Sequence, residues 1–205
     1  MAAGVREKAR NAFRAEIAAA LSEVFAERGF DQVTVEEAAR ETGISRATFF
    51  RYFGSKEDAV IAAIEASSID YGAVLAALPA GDGENPWQLL HRTFARALAH
   101  VDDDPAPRRS RLRMINSTPS LRARLVQRRL AHEDALTAAL AHRTGRPDIA
   151  RPVVVAALAV MDLAWRRWAE DEDTSLAGAL DEVFHQLADA ATAPVVPADS
   201  ARSRI

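Results

Sequence analysis

Apolar residues recur three and four positions apart along almost the whole chain, and no alternating run of β-branched residues long enough for a strand interrupts them. This pattern predicts an all-α protein. From Phe13, the positions Ile17, Leu21, Val24 and Phe25 form one stripe. It ends at "ERGF", where Gly29 suits a left-handed cap and Phe30 the apolar contact beyond it. "TVEE" opens a second helix near Val35, with Thr34 and Glu37 spaced as a capping box. Gly43 stops that helix after Thr42, and Ser45 caps a short third one almost at once. Gly54 closes the third helix, and Ser55 opens a fourth expected to reach about Leu78. Further helices are expected near Trp87–Val101, Pro107–Ile115, Pro119–Arg143, Asp148–Ala169 and Leu176–Ala191. "PAGDGENP" reads as a loop, Thr118 as an N-cap with Pro119 in the first helical position, and residues 194–205 as a mobile, proline-punctuated tail. "VREKAR" near the N-terminus reads as a basic arm able to touch a nucleic-acid backbone or minor groove.

The turn at Gly43 is too short to let its two helices run side by side, so they cross steeply, with small Ala39 allowing close approach and Phe49 and Phe53 turned inward. That is a helix-turn-helix, and its second helix has the width to enter a DNA major groove. Ser45, Arg46, Ala47 and Thr48 lie at the leading end of that helix, Phe50, Arg51 and Tyr52 on its outer faces, and Lys56 in the first turn of the next. The same corner also occurs in helical domains that bind no DNA, so a protein-interaction module stays open on this pattern alone.

Composition narrows the choice. The chain has 205 residues, a net charge of −3, five histidines and no cysteine. A charge of that size excludes coating of nucleic acid along the whole length but not a local basic patch. Without cysteine there is no disulfide or thiolate chemistry, and the histidines are spread over different helices. No nucleophile elbow, phosphate loop or paired metal-ligand motif appears, so neither an enzyme, a metal site nor a cofactor is expected. The longest apolar run, "PVVVAALAVMDLAW", is too short to span a bilayer and contains Asp162; with no signal-like segment, a cytoplasmic protein is expected.

The segment "TVEEAARETGISRATFFRYFGSKEDAV", preceded by "F…ERGF", resembles the DNA-binding segment of the tetracycline-repressor (TetR) family, over about Phe13 to Val60. The resemblance implies a homodimeric transcriptional regulator, usually a repressor, that binds double-stranded operator DNA and a small-molecule effector. It implies a DNA-binding domain over residues 1–54 and a ligand-binding and dimerisation domain, a helical bundle, over 55–193. Thr34, Ser45, Thr48, Tyr52 and Lys56 match positions that commonly touch phosphates in the family; Arg46, Ala47 and Phe50 match positions that approach base edges. Phe50 stands where the family often has tyrosine, so an apolar contact, such as one with a thymine methyl, is expected there.

In the second half, "PVVVAALAVMDLAW" is apolar nearly all round and, with "LAGALDEVFHQLADA", is the expected four-helix dimer interface. A cavity is expected among helices four to eight, lined by Met114, Ile115, Asn116, Leu121, Leu125, Met161 and Trp165. Between Arg108 and Arg129 lie eight arginines and no acid, an imbalance suited to a carboxylate or phosphate; Arg111, Arg113, Arg122 and Arg124 join Asn116 as polar candidates. "RLRMINSTPSLRARL" also resembles the C-terminal domain of regulators related to the mycofactocin regulator, which implies an acyl-coenzyme A or lipid-like effector.

Overall fold

A computed structural model describes residues 2–79 and 81–193, with the side chains of residues 2, 3 and 128–132 excluded. The tail predicted to be mobile lies outside the described residues. In chain order the helices are α1 (Ala2–Arg28), α2 (Val35–Glu41), α3 (Arg46–Tyr52), α4 (Lys56–Ala66) and α5 (Tyr71–Ala77). After them come α6 (Pro86–Leu98), α7 (Pro105–Ser117), α8 (Pro119–Thr144), α9 (Pro147–Glu170) and α10 (Leu176–Ala190), with one 3-10 turn at Val101–Asp103. There is no strand among the described residues.

Three expectations change. The basic arm is helical: residues 5–10 continue α1 toward its N-terminus, because Arg6, Glu7, Lys8, Ala9 and Arg10 are all strong helix formers. The predicted long fourth helix is two helices. Ser67 Oγ donates to the carbonyls of Ala63 and Ile64, both at 3.2 Å, and Ser68 Oγ to that of Glu65 at 2.9 Å. Asp70 then starts α5 by accepting from the Ala73 N–H at 2.9 Å, so short polar side chains outcompete the backbone at this point. Thr118 takes the N-cap position of α8, but its hydroxyl makes no capping bond, and the start of α8 rests on Pro119 instead.

Two apolar cores hold these helices. The first gathers Leu21, Phe25, Phe30, Phe49, Phe53 and Val60 from the first four helices and their connections, and it also takes Met114, Ile115 and Leu121 from α7 and α8. The second is built from α5, α6 and α8 to α10 around Phe94, Leu136, Leu158, Trp168 and Phe184. Each fully buried aromatic or aliphatic side chain stabilises its core by about 1.5–3 kcal/mol. Alpha-7 packs on α1 on one side and on α9 on the other, which makes it the partition between the cores. Gly72 lets α5 lie against α8: a Cβ there would meet the Ala135 carbonyl oxygen at 3.3 Å. Lys56–Ala77 reaches the mean hydropathy of a membrane span, 1.5, but Ser67–Asp70 interrupts it and its halves pack on α1 and α8.

Candidate nucleic-acid interface and effector cavity

Local bonds fix the geometry of α2 and α3 before any tertiary contact is counted. Thr34 Oγ1 accepts from the Glu37 N–H at 3.2 Å, while Glu37 Oε2 accepts from the Thr34 N–H at 2.9 Å and from its hydroxyl at 2.7 Å. These bonds, the backbone one above all, hold the Glu37 carboxyl below its ordinary range. Gly43 turns the chain with φ of 73°, a left-handed conformation that suits glycine, and the Ile44 N–H returns to the Ala39 carbonyl at 2.9 Å. Ser45 then caps α3, accepting from the Thr48 N–H at 3.0 Å and donating to the Thr48 hydroxyl at 3.0 Å.

Tertiary packing decides which way α3 faces. Phe49 and Phe53 are buried at 0% and 2% exposure, and buried Ala38 and Ala39 bring α2 close. The opposite face carries Arg46, Ala47 and Phe50 into solvent, with Phe50 46% exposed. Thr48 and Tyr52 are half-buried at its edges; the Tyr52 ring meets Phe13 edge-on at 5.8 Å, and the Arg51 guanidinium lies 5.0 Å from it. Arg46 is held on two sides: its Nε donates to Glu36 Oε1 on α2, and its guanidinium lies 5.0 Å from the Phe50 ring. Lys56 donates to the Phe30 carbonyl at 2.6 Å, a bond that sequence reasoning did not anticipate. The hydroxyls of Thr34 and Ser45 are likewise engaged within the protein, as donors to Glu37 Oε2 and to the Thr48 hydroxyl.

A cavity of about 300 Å³ opens between the cores. Of the residues expected to line it, Ile115, Asn116, Leu125, Met161 and Trp165 do so. Met114 and Leu121 do not: they are 7% and 0% exposed and fill the first core instead, on the other side of their helices. The sequence reading missed Ile64, Ser67 and Ser68, which bring the end of α4 to the cavity wall, and Tyr71 from α5. The signal for them was the serine pair that ends α4. Among the arginines, Arg108, Arg111, Arg122 and Arg166 reach the wall with Asp162. Arg113 does not, because it donates to the Ala169 carbonyl at 2.5 Å and to Glu172 at 2.9 Å. Arg124 instead pairs with Asp58 on α4 at 3.7 Å. Arg109 is buried, clamps the Asp171 and Thr174 carbonyls and stacks on Trp168 at 4.5 Å. Arg111 is the anomaly: its Nε is buried with no hydrogen-bond partner. Burial lowers its pKa, Glu23 on α1 opposes that shift and Arg108 adds to it. An orphaned donor of this kind beside a cavity is suited to an anionic acceptor.

Comparison with known proteins places this arrangement. The profile of the tetR family of bacterial regulatory proteins matches residues 17–63, and that of the MftR C-terminal domain matches residues 84–192. The HTH-type transcriptional regulator TcmR of Streptomyces glaucescens is 31% identical over 196 residues, covering 91% of this chain and 85% of the relative. The putative mycofactocin biosynthesis transcriptional regulator MftR of Mycobacterium tuberculosis is 30% identical over 173 residues, covering 79% and 82%. The crystal structure of a putative TetR-family regulator from Rhodococcus sp. shares the fold, with a TM-score of 0.56 at 20% identity over 85% of this chain and 97% of that one. The helix-turn-helix is thus the DNA-binding part of a transcriptional regulator, and the chain belongs to the tetR family of bacterial regulatory proteins.

Proposed function

We propose that the protein is a cytoplasmic, homodimeric repressor that leaves its operator when a small apolar effector bearing an anionic group, such as an acyl-coenzyme A, enters the cavity. Residues 1–54 are the DNA-binding domain in this reading, and 55–193 bind effector and mate. The observation that carries it is the cavity itself: apolar walls from Ile64, Leu125, Met161 and Trp165, and the buried, unpartnered Nε of Arg111. Thr34, Ser45, Arg46, Ala47, Thr48, Phe50, Tyr52 and Lys56 are the DNA-facing set. Helix α4 joins the two sites, since Lys56 begins it beside α3 and Ile64 lines the cavity near its end. An effector that fits only one position of α4 shifts the population toward one spacing of the two recognition helices. Val155, Leu163 and Leu187, exposed on α9 and α10, supply apolar surface for the dimer contact.

Fluorescence anisotropy of the full chain on its own upstream DNA, with and without lauroyl-coenzyme A, tests the reading. Tight binding is expected whose logarithm falls with log salt at a slope of roughly −7 for about four phosphates neutralised per subunit. Release by the thioester supports the effector class. Unchanged affinity at saturating thioester removes that class, and a flat salt response removes the DNA role.

A further inference from the structure

Arg46 is the first residue of α3, the exposed cation at the leading end of the helix that faces DNA. Three features restrict it. Glu36 accepts from its Nε, Phe50 lies one turn along α3 beneath its guanidinium at 5.0 Å, and Phe50 is itself set edge-on against buried Phe49 at 5.2 Å. Glu36 is also well placed to hold it. The Thr34 capping box fixes the first turn of α2 and occupies Glu37, so of the two acids in that turn only Glu36 turns toward α3. An exposed ion pair of this kind adds little to stability, so its effect lies in orientation. With Nε engaged, the guanidinium presents its Nη1–Nη2 edge, two parallel donors in one plane. Guanine offers the matching acceptors, O6 and N7, in the major groove.

We infer that Glu36 is a specificity-determining positioning residue: it aims Arg46 at a guanine and, as a fixed negative charge, keeps that arginine from settling on phosphates of unrelated DNA. This rests on the DNA-binding reading above. A phosphate accepts an arginine in many orientations, whereas guanine accepts the paired donors in one. Restricting Arg46 therefore favours the base over the backbone, and the Glu36 carboxylate repels any duplex that offers no guanine in return. The Phe50 ring completes the device as the shelf beneath the guanidinium.

The test is selection of bound duplexes from a randomised pool by the full-length wild type, Glu36→Ala and Glu36→Gln, then anisotropy on the selected duplex and on its copy with 7-deazaguanine, which lacks N7. The wild type is expected to select a guanine at one fixed position per half-site and to lose about tenfold in affinity with the 7-deaza copy. In Glu36→Ala that penalty falls to about twofold while binding to random duplex tightens about threefold, because a negative charge has left the interface. Glu36→Gln, which keeps an uncharged acceptor, regains most of the guanine penalty but not the weaker random binding. A wild-type penalty retained in Glu36→Ala, or no guanine at a fixed position, overturns the inference and leaves DNA binding standing. Failure of the wild type to retain any duplex overturns both.

Discussion

The Lys56 ammonium donates to the Phe30 carbonyl at 2.6 Å and lies 4.4 Å from the ring of the same residue. One side chain from the first turn of α4 thereby satisfies a carbonyl of the α1–α2 connection at buried Phe30, beyond the last turn of α1. Lys56→Met keeps the apolar stem and removes the charge. It is expected to lower stability by about 1–2 kcal/mol in urea unfolding and to weaken DNA binding as well. A variant that loses DNA affinity at unchanged stability would assign Lys56 to the backbone contact alone.

Phe49 and Phe50 are neighbours with opposite duties. Phe49→Ala, which empties a fully buried site, is expected to cost about 3–5 kcal/mol. Phe50→Ala should change stability by less than about 1 kcal/mol, since the ring is nearly half exposed, yet it should lower discrimination between operator and random DNA. Paired denaturation and binding curves separate the two.

Acid should loosen the start of α2. The Glu37 carboxyl is depressed from 4.5 by its bonds to Thr34, so the folded state holds the ionised form more strongly than the unfolded chain does. Its contribution is present above pH 4.5 and lost as pH falls through the lower folded value. Glu37→Ala removes those bonds, the one from the Thr34 backbone N–H included. The difference in stability between wild type and variant, followed by urea unfolding from pH 7 downward, should therefore shrink below that range.

Arg111 carries a buried donor with no partner, a cost that an apolar residue would not bear. Arg111→Met is expected to raise the melting temperature by a few degrees, equivalent to about 1 kcal/mol, while abolishing release of DNA by lauroyl-coenzyme A. Calorimetry and the anisotropy assay read the two effects independently. A gain in stability with the response intact would move the anionic subsite to the other arginines.

What could be read from the sequence were features made by neighbours along the chain. Thr34 with Glu37, Gly43 and Ser45 each act within a few residues, so their spacing sufficed to place α2, the turn and α3. The inward turn of Phe49 and Phe53 followed from their separation by four. Other features depended on partners far away. Helical spacing put Met114 and Leu121 on a buried face, but α7 and α8 each have more than one neighbour, and only packing showed that these side chains turn to the first core. The break at Ser67–Ser68 was masked by apolar residues on both sides that keep a helical rhythm. The bond from Lys56 to Phe30 joins residues 26 apart and has no signature in either segment.

Ile115 is wholly buried, belongs to the core beneath the DNA-facing helices and also forms part of the cavity wall. It is a party wall between two rooms. Trimming it to enlarge the cavity takes volume from the packing under α1 and α4, and enlarging it does the reverse. The range of molecules admitted and the hold on the operator are therefore set by a shared dimension, and neither can be retuned at this position without moving the other.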